Sequence, residues 1–176
     1  MAEPQAGRTL APGNPDADRH WLAAAIDLSR HCPPAQTAFS VGAILVGAAG
    51  EVIATGYSRE VDPRDHAEEV ALRRAAEPGA AAGGARDAPP GSAADLGRAT
   101  LYSSLEPCRS RASRPVSCAA LVAAAGLRRV VIAWREPPLF VPGGGTAWLA
   151  DRGVTVIELP DLADAARSVN QHLLTP

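Results

Sequence analysis

His66-Ala67-Glu68, followed about forty positions later by Pro107-Cys108 and then Cys118, is the pattern that most restricts this chain. Nine residues separate the two cysteines. One imidazole and two thiols suit three corners of a tetrahedral Zn²⁺ site. His20, His31, Cys32 and His172 fall in no ligand-like spacing with them, so the fourth corner is left to water, as in a catalytic zinc centre. The carboxylate of Glu68, not needed as a ligand, is then the expected proton acceptor. To share one ion, the starts of separate helices must meet. His66 is expected to open a helix, Cys108 follows a proline, and Cys118 precedes an alanine-rich run. Helix N-termini favour thiolate over thiol, and a bound metal does so more strongly.

The flanking sequence gives an element order. Asp18 is expected to cap a helix over 18–31, where Trp21, Ala25 and Leu28 share a face and Pro33-Pro34 ends the run. Residues 41–46 and 51–57 read as a hairpin around Gly47 and Gly50. A helix from His66 to Ala76 stops before Pro78-Gly79. Residues 78–97 form an Ala/Gly/Pro-rich surface loop. Residues 99–103 form a strand, 119–125 a helix ended by Gly126, 129–134 an apolar strand, 146–152 a helix and 154–159 a last strand. Leu162, Ala166, Val169 and Leu173 mark a final amphipathic helix. This alternation predicts an α/β fold, a three-layer α/β/α sandwich around a mixed five-stranded sheet. Residues 1–17, carrying Pro4, Pro12 and Pro15, read as a flexible tail, and 18–176 as a single domain.

Charge and cysteine usage narrow the function. A formal net charge of −2 argues against broad capture of nucleic acid. No segment has the length and apolarity of a membrane span or the apolar core of a signal peptide. Three cysteines, two of them in a metal-like set, suit a reducing cytoplasm rather than a disulfide framework.

His-x-Glu followed by Pro-Cys and a second cysteine is the pattern of zinc-dependent nucleoside and nucleobase deaminases. At these residues the chain resembles the cytidine deaminase-like superfamily. Within it, the chain is most similar to the deaminase domain of the bacterial riboflavin-biosynthesis enzymes that combine a deaminase with a reductase. The likeness covers about residues 20–157. It runs through Thr100 to Cys108, the Cys118–Gly126 helix, Arg129 to Ala133 and the Gly143-Gly144-Gly145 region. The resemblance implies a hydrolytic deaminase of an amino-pyrimidine-type ring that releases ammonia. His66, Cys108 and Cys118 would hold Zn²⁺, and Glu68 would take a water proton and return protons to the ring nitrogen and the departing ammonia. It also implies self-association as a dimer or higher oligomer. Cytosine, cytidine, deoxycytidylate or guanine-type substrates are the alternative, and a zinc-stabilised binding domain is the non-enzyme reading.

Three departures separate the chain from that branch. Ala38-Phe39-Ser40-Val41-Gly42 stands where the branch carries an Asn-Pro pair whose Asn helps bind substrate. The inter-cysteine segment is Arg109-Ser110-Arg111-Ala112-Ser113-Arg114-Pro115-Val116-Ser117, one residue longer than the usual pattern and different in composition. No reductase domain is expected after Pro176. Substrate contacts are therefore expected from Phe39 by ring stacking and Ser40 by hydrogen bonding, or Phe39 packs in the core. Arg109, Arg111 and Arg114 are candidates for a substrate phosphate, or a solvated charged loop. Trp134 and Trp148 read as core. Gly143 to Gly145 reads as a loop.

Overall fold

The structure, a computed structural model, describes residues 10–77 and 96–174. The expected loop at 78–97 lies largely outside them. Helix α1 (Pro15–Ser29) is followed by β1 (Gly42–Val46), β2 (Val52–Tyr57), α2 (Ala67–Ala76), β3 (Thr100–Ser103), α3 (Cys118–Ala124), β4 (Arg129–Ile132), α4 (Gly145–Ala150) and β5 (Thr155–Glu158). A 3₁₀ turn (Pro160–Leu162), α5 (Ala163–Val169) and α6 (Gln171–Leu174) close the chain. The predicted final helix is thus divided in two.

Helix α1 begins three residues earlier than expected. Asn14, in extended conformation, accepts the Asp16 N–H (2.9 Å), and Pro15 takes the first helical position, where its missing donor costs nothing. Asp18 is therefore inside the helix, not its cap. Of the predicted tail over 1–17, residues 10–17 belong to the described fold. Leu10 accepts the Trp21 indole N–H at 2.7 Å, and residues 1–9 lie outside the description.

Among the described residues the strands form one sheet in the order β2-β1-β3-β4-β5. β1 runs antiparallel to β2 and β3, and β3, β4 and β5 are parallel. The sheet is sandwiched, and β3 shows it residue by residue. The Tyr102 hydroxyl donates to Asp18 of α1 (2.7 Å), whereas its neighbour Ser103 donates to Glu68 of α2 (3.0 Å). Successive strand side chains point to opposite faces, so α1 and α2 cover opposite faces. Two glycines let the helices approach. A Cβ at Gly42 would meet the Ala25 carbonyl oxygen of α1 at 2.1 Å, and one at Gly56 would meet that of Ala67 in α2 at 2.5 Å. The core between the layers is built from Leu22, Leu45, Leu101, Val122, Val130, Ile132 and Leu149, all fully buried, with Trp134 buried beside them. Trp148 is half-buried against this core, with the Arg152 guanidinium 3.6 Å over its ring. No helix among the described residues is long and apolar enough to cross a membrane.

Candidate metal and active site

In open sheets containing parallel strands, ligands sit outside the carboxyl ends of the strands, where strand order or direction changes. Here the change falls at β3, antiparallel to β1 and parallel to β4. The chain leaving β3 supplies Leu105, Glu106 and Cys108, and the chain leaving β4 supplies Glu136. His66 enters from the start of α2 as its N-cap residue, in extended conformation (φ −97°, ψ 151°). Cys118 is the first residue of α3, which Ser117 caps by accepting the Ala120 N–H at 3.2 Å.

The three predicted donors meet. His66 Nδ1 lies 3.5 Å from Cys118 Sγ and 3.7 Å from Cys108 Sγ, and all three donor atoms fall within 4.8 Å of one another. Bonds of about 2.0–2.1 Å to nitrogen and about 2.3 Å to sulfur at tetrahedral angles separate such donors by about 3.5–3.8 Å. The donor set fits Zn²⁺. The Cys118 N–H also donates to Cys108 Sγ at 3.4 Å, so the start of α3 faces the sulfur. The neighbouring Cys118 and then the imidazole hold the Cys108 thiol down at about 4, whereas Cys108 and full burial push the Cys118 thiol up.

Glu68 lies two residues beyond His66 and is buried, its Oε1 held by the Ser103 hydroxyl at 3.0 Å. Burial and then the charge on Cys108 raise its pKa, and His66, its own N–H and Ser103 offset part of that rise. His66, Glu68 and Cys108 line a cavity of about 400 Å³, within the usual range for small-molecule sites. Thr37 to Phe39, Arg59, Pro63 to Asp65, Ser110 to Ser113, Glu136, Phe140 and Val141 contribute to the walls.

The other residues singled out in the sequence take different places. Phe39 lines the cavity and also packs edge-on against Trp134 (5.6 Å between centroids) and Phe140 (5.1 Å). Ser40 is buried and is not part of the cavity lining. Its backbone exchanges hydrogen bonds with the Asn170 amide (2.7 and 3.0 Å), and its hydroxyl accepts from Arg59 at 3.0 Å. Arg111 lines the cavity but is ion-paired with Glu69 (2.9 Å) and donates to the Val116 carbonyl (2.8 Å). Arg114 is ion-paired with Asp65 (3.0 Å) and Glu69 (3.1 Å). Arg109 is exposed beside Cys108. Gly145 opens α4, where a Cβ would lie 1.9 Å from the Pro107 carbonyl oxygen; the glycine run serves close packing against the cysteine segment.

Sequence reasoning missed Arg59, Asp65, Ser103, Glu106 and Glu136. Arg59 adopts a left-handed φ of 61° and donates to the carbonyls of Pro33 and Phe39, tying the segment before β1 to the loop that leads to His66. Asp65, buried next to His66, accepts from Arg73 and Arg114. Glu106 accepts the backbone N–H of Glu136 (3.0 Å) and of Thr146 (2.6 Å), one on each oxygen. Only Glu106 had a signal, its place next to Pro107-Cys108. The rest, Ser103 of β3 among them, meet the site only in three dimensions.

Comparison with known proteins adds the family. The family described as the cytidine and deoxycytidylate deaminase zinc-binding region matches residues 15–134. The chain belongs to this family. Among individual relatives, the diaminohydroxyphosphoribosylamino-pyrimidine deaminase of Schizosaccharomyces pombe is 34% identical over 155 residues, covering 88% of this chain and 35% of the relative. The riboflavin biosynthesis protein RibD of Escherichia coli is 31% identical over 145 residues, covering 79% of this chain and 33% of that one. A solved structure of Acinetobacter baumannii RibD superposes with a TM-score of 0.69 at 28% identity, covering 89% of this chain and 39% of that chain. The chain therefore spans about a third of the length of these relatives. Family and neighbours agree with the expected mixed-sheet deaminase fold and with a His/Cys/Cys zinc set.

Proposed function

We propose that the protein is a zinc-dependent hydrolytic deaminase of an amino-pyrimidine-type ring, of the diaminohydroxyphosphoribosylaminopyrimidine kind or a relative acting on another aminated ring. One observation carries this reading. A buried carboxylate that is not needed as a ligand is fixed by Ser103 at the floor of a ring-sized cavity, directly beside a three-donor zinc set. A purely structural metal has no use for such a base.

His66, Cys108 and Cys118 hold the ion, which when bound supplies Lewis-acid activation of water. Glu68 moves the protons. Its carboxylate accepts a proton from water and delivers it to the ring nitrogen, then takes the second proton from the added hydroxyl and delivers it to the amine that leaves as ammonia. Ser103 keeps Oε1 turned to the cavity during both transfers. Phe39 borders the ring, and Ser40 acts indirectly, by fixing the Phe39 segment through Arg59 and Asn170. A phosphate on the substrate would meet Arg109 towards solvent, since Arg64, Arg111 and Arg114 are already paired with Asp62, Glu69 and Asp65. The net charge of −2 and the enclosed site favour a small molecule over nucleic acid. The thiolate donors suit a reducing cytoplasm. Self-association through the loops bordering the cavity is supported by the exposed side chains of Val61, Val116, Leu139 and Phe140. Sedimentation of the zinc-loaded protein checks that assembly.

Ammonia release from a panel of aminopyrimidines, aminopurines and their ribosyl phosphates tests the activity. Glu68→Gln is expected to lower turnover by about 10²–10⁴-fold or more while zinc content stays at the wild-type level. Wild-type turnover in that variant would remove the mechanism.

A further inference from the structure

Among the described residues, the Glu136 carboxyl has no hydrogen-bonding partner. Its Oε2 is buried with no hydrogen bond, although the side chain lines the cavity. An unsatisfied buried acceptor costs on the order of 1–3 kcal/mol, so a stable site is expected to keep one only where a ligand completes it. The residue is held in place. Its N–H is bound by Glu106, whose other oxygen holds Thr146, and a Cβ at Gly143 would meet the Glu136 carbonyl at 2.8 Å, so the segment from Glu136 to Thr146 is tightly seated.

The surroundings define what is missing. Burial, then the charges on Cys108, Glu68 and Glu106, push the Glu136 carboxyl up to about 8. The arginines that line the cavity are engaged elsewhere. Arg59 holds the carbonyls of Pro33 and Phe39, Arg64 is on Asp62, and Arg111 is on Glu69. An acceptor with no protein donor needs one from the ligand, and on an aminated heterocycle that donor is nitrogen-borne.

We infer that Glu136 is a specificity residue: the cavity takes a ring carrying a second N–H donor, distinct from the amine that is lost, and a carboxyl oxygen of Glu136 accepts it. This rests on the deaminase reading for which amine reacts, but not for binding. A site built to hydrogen-bond a polar substituent rejects the analogue lacking it, because its own polar group is then stranded.

Titration calorimetry on the zinc-loaded protein with 2,4-diaminopyrimidine and 4-aminopyrimidine, alongside ammonia release from both, provides the test. The wild type is expected to bind the diamino ring at least about tenfold more tightly. Glu136→Ala should bring the ratio close to one, and Glu136→Gln, which keeps an acceptor oxygen, should retain part of the preference. Near-ultraviolet circular dichroism verifies that both variants are folded. A wild type that does not discriminate or does not bind the diamino ring, or an alanine variant that keeps the wild-type ratio, overturns the inference. A preference that vanishes in Glu136→Ala without ammonia release from any ring would uphold it and sink the deaminase reading instead.

Discussion

Cys118 is fully buried, and its sulfur faces both His66 Nδ1 and the Cys108 thiol. Because metal affinity is part of the folding free energy of such a site, Cys118→Ala should lose zinc and stability together. Its melting temperature should fall below that of the wild type and stop responding to a chelator, whereas the wild type should drop when zinc is stripped. A variant that copurifies with stoichiometric zinc would refute the ligand assignment. Ser103 acts on Glu68 rather than on the metal. Ser103→Ala should therefore reduce kcat by roughly tenfold, the worth of one hydrogen bond to a charged group, with zinc content unchanged by elemental analysis. At this scale the sequence was legible where residue type and order carry the chemistry, as for His66, Glu68, Cys108 and Cys118. It was silent on Ser103, since a serine in a strand has no mark that tells which helix it will face.

Elements followed the local rules with two instructive shifts. Asp18 has the character of a helix cap, yet Asn14 caps α1 and Asp18 turns inward to Tyr102 and Arg129. Both residue types suit a cap, and Pro15 favours the upstream choice by fitting the first helical position. Asn14→Ala should cost about 1 kcal/mol in urea unfolding, while Asn14→Gly should cost only a few tenths. Gly42 is a contrasting position, since its conformation is that of a strand and the constraint is space. With the Ala25 carbonyl oxygen 2.1 Å from the ideal Cβ, Gly42→Ala must push α1 off the sheet, and a loss of about 1–3 kcal/mol is expected. Strand β4 ended earlier than its apolar run because Trp134 leaves the ladder and its carbonyl accepts the Glu106 N–H instead.

Across the whole molecule, Asp18 ties α1 to the middle of the sheet. Its carboxylate accepts from Tyr102 (2.7 Å) and from both terminal nitrogens of Arg129 (3.0 and 2.6 Å). Burial alone would raise its pKa, but the Arg129 and Tyr102 hydrogen bonds and the Gly13 N–H outweigh it and leave the value below the ordinary 3.8. The folded state then binds fewer protons than the unfolded one between these two values. The stabilisation is complete above the unfolded value and is lost as pH falls through the folded one. Asp18→Asn should cost about 3 kcal/mol near neutral pH, and its stability should decline less steeply than that of the wild type below about pH 4. Parallel acid titrations of the two proteins, followed by chemical unfolding, measure both effects.

By itself the sequence pointed to the His66, Cys108 and Cys118 set that the fold brings together, to Glu68 beside it, to the alternation of elements and to the mixed sheet, because each depends on residue type and short-range spacing. Only the tertiary structure decided the partners. Arg111 and Arg114 were drawn to Glu69 and Asp65, Ser40 was withdrawn behind the wall, Phe39 reached both core and cavity, and Glu136 was brought into the site without a donor of its own. Those outcomes depend on which charges converge when loops from β2, β3 and β4 meet at one end of the sheet, and no local pattern encodes that convergence.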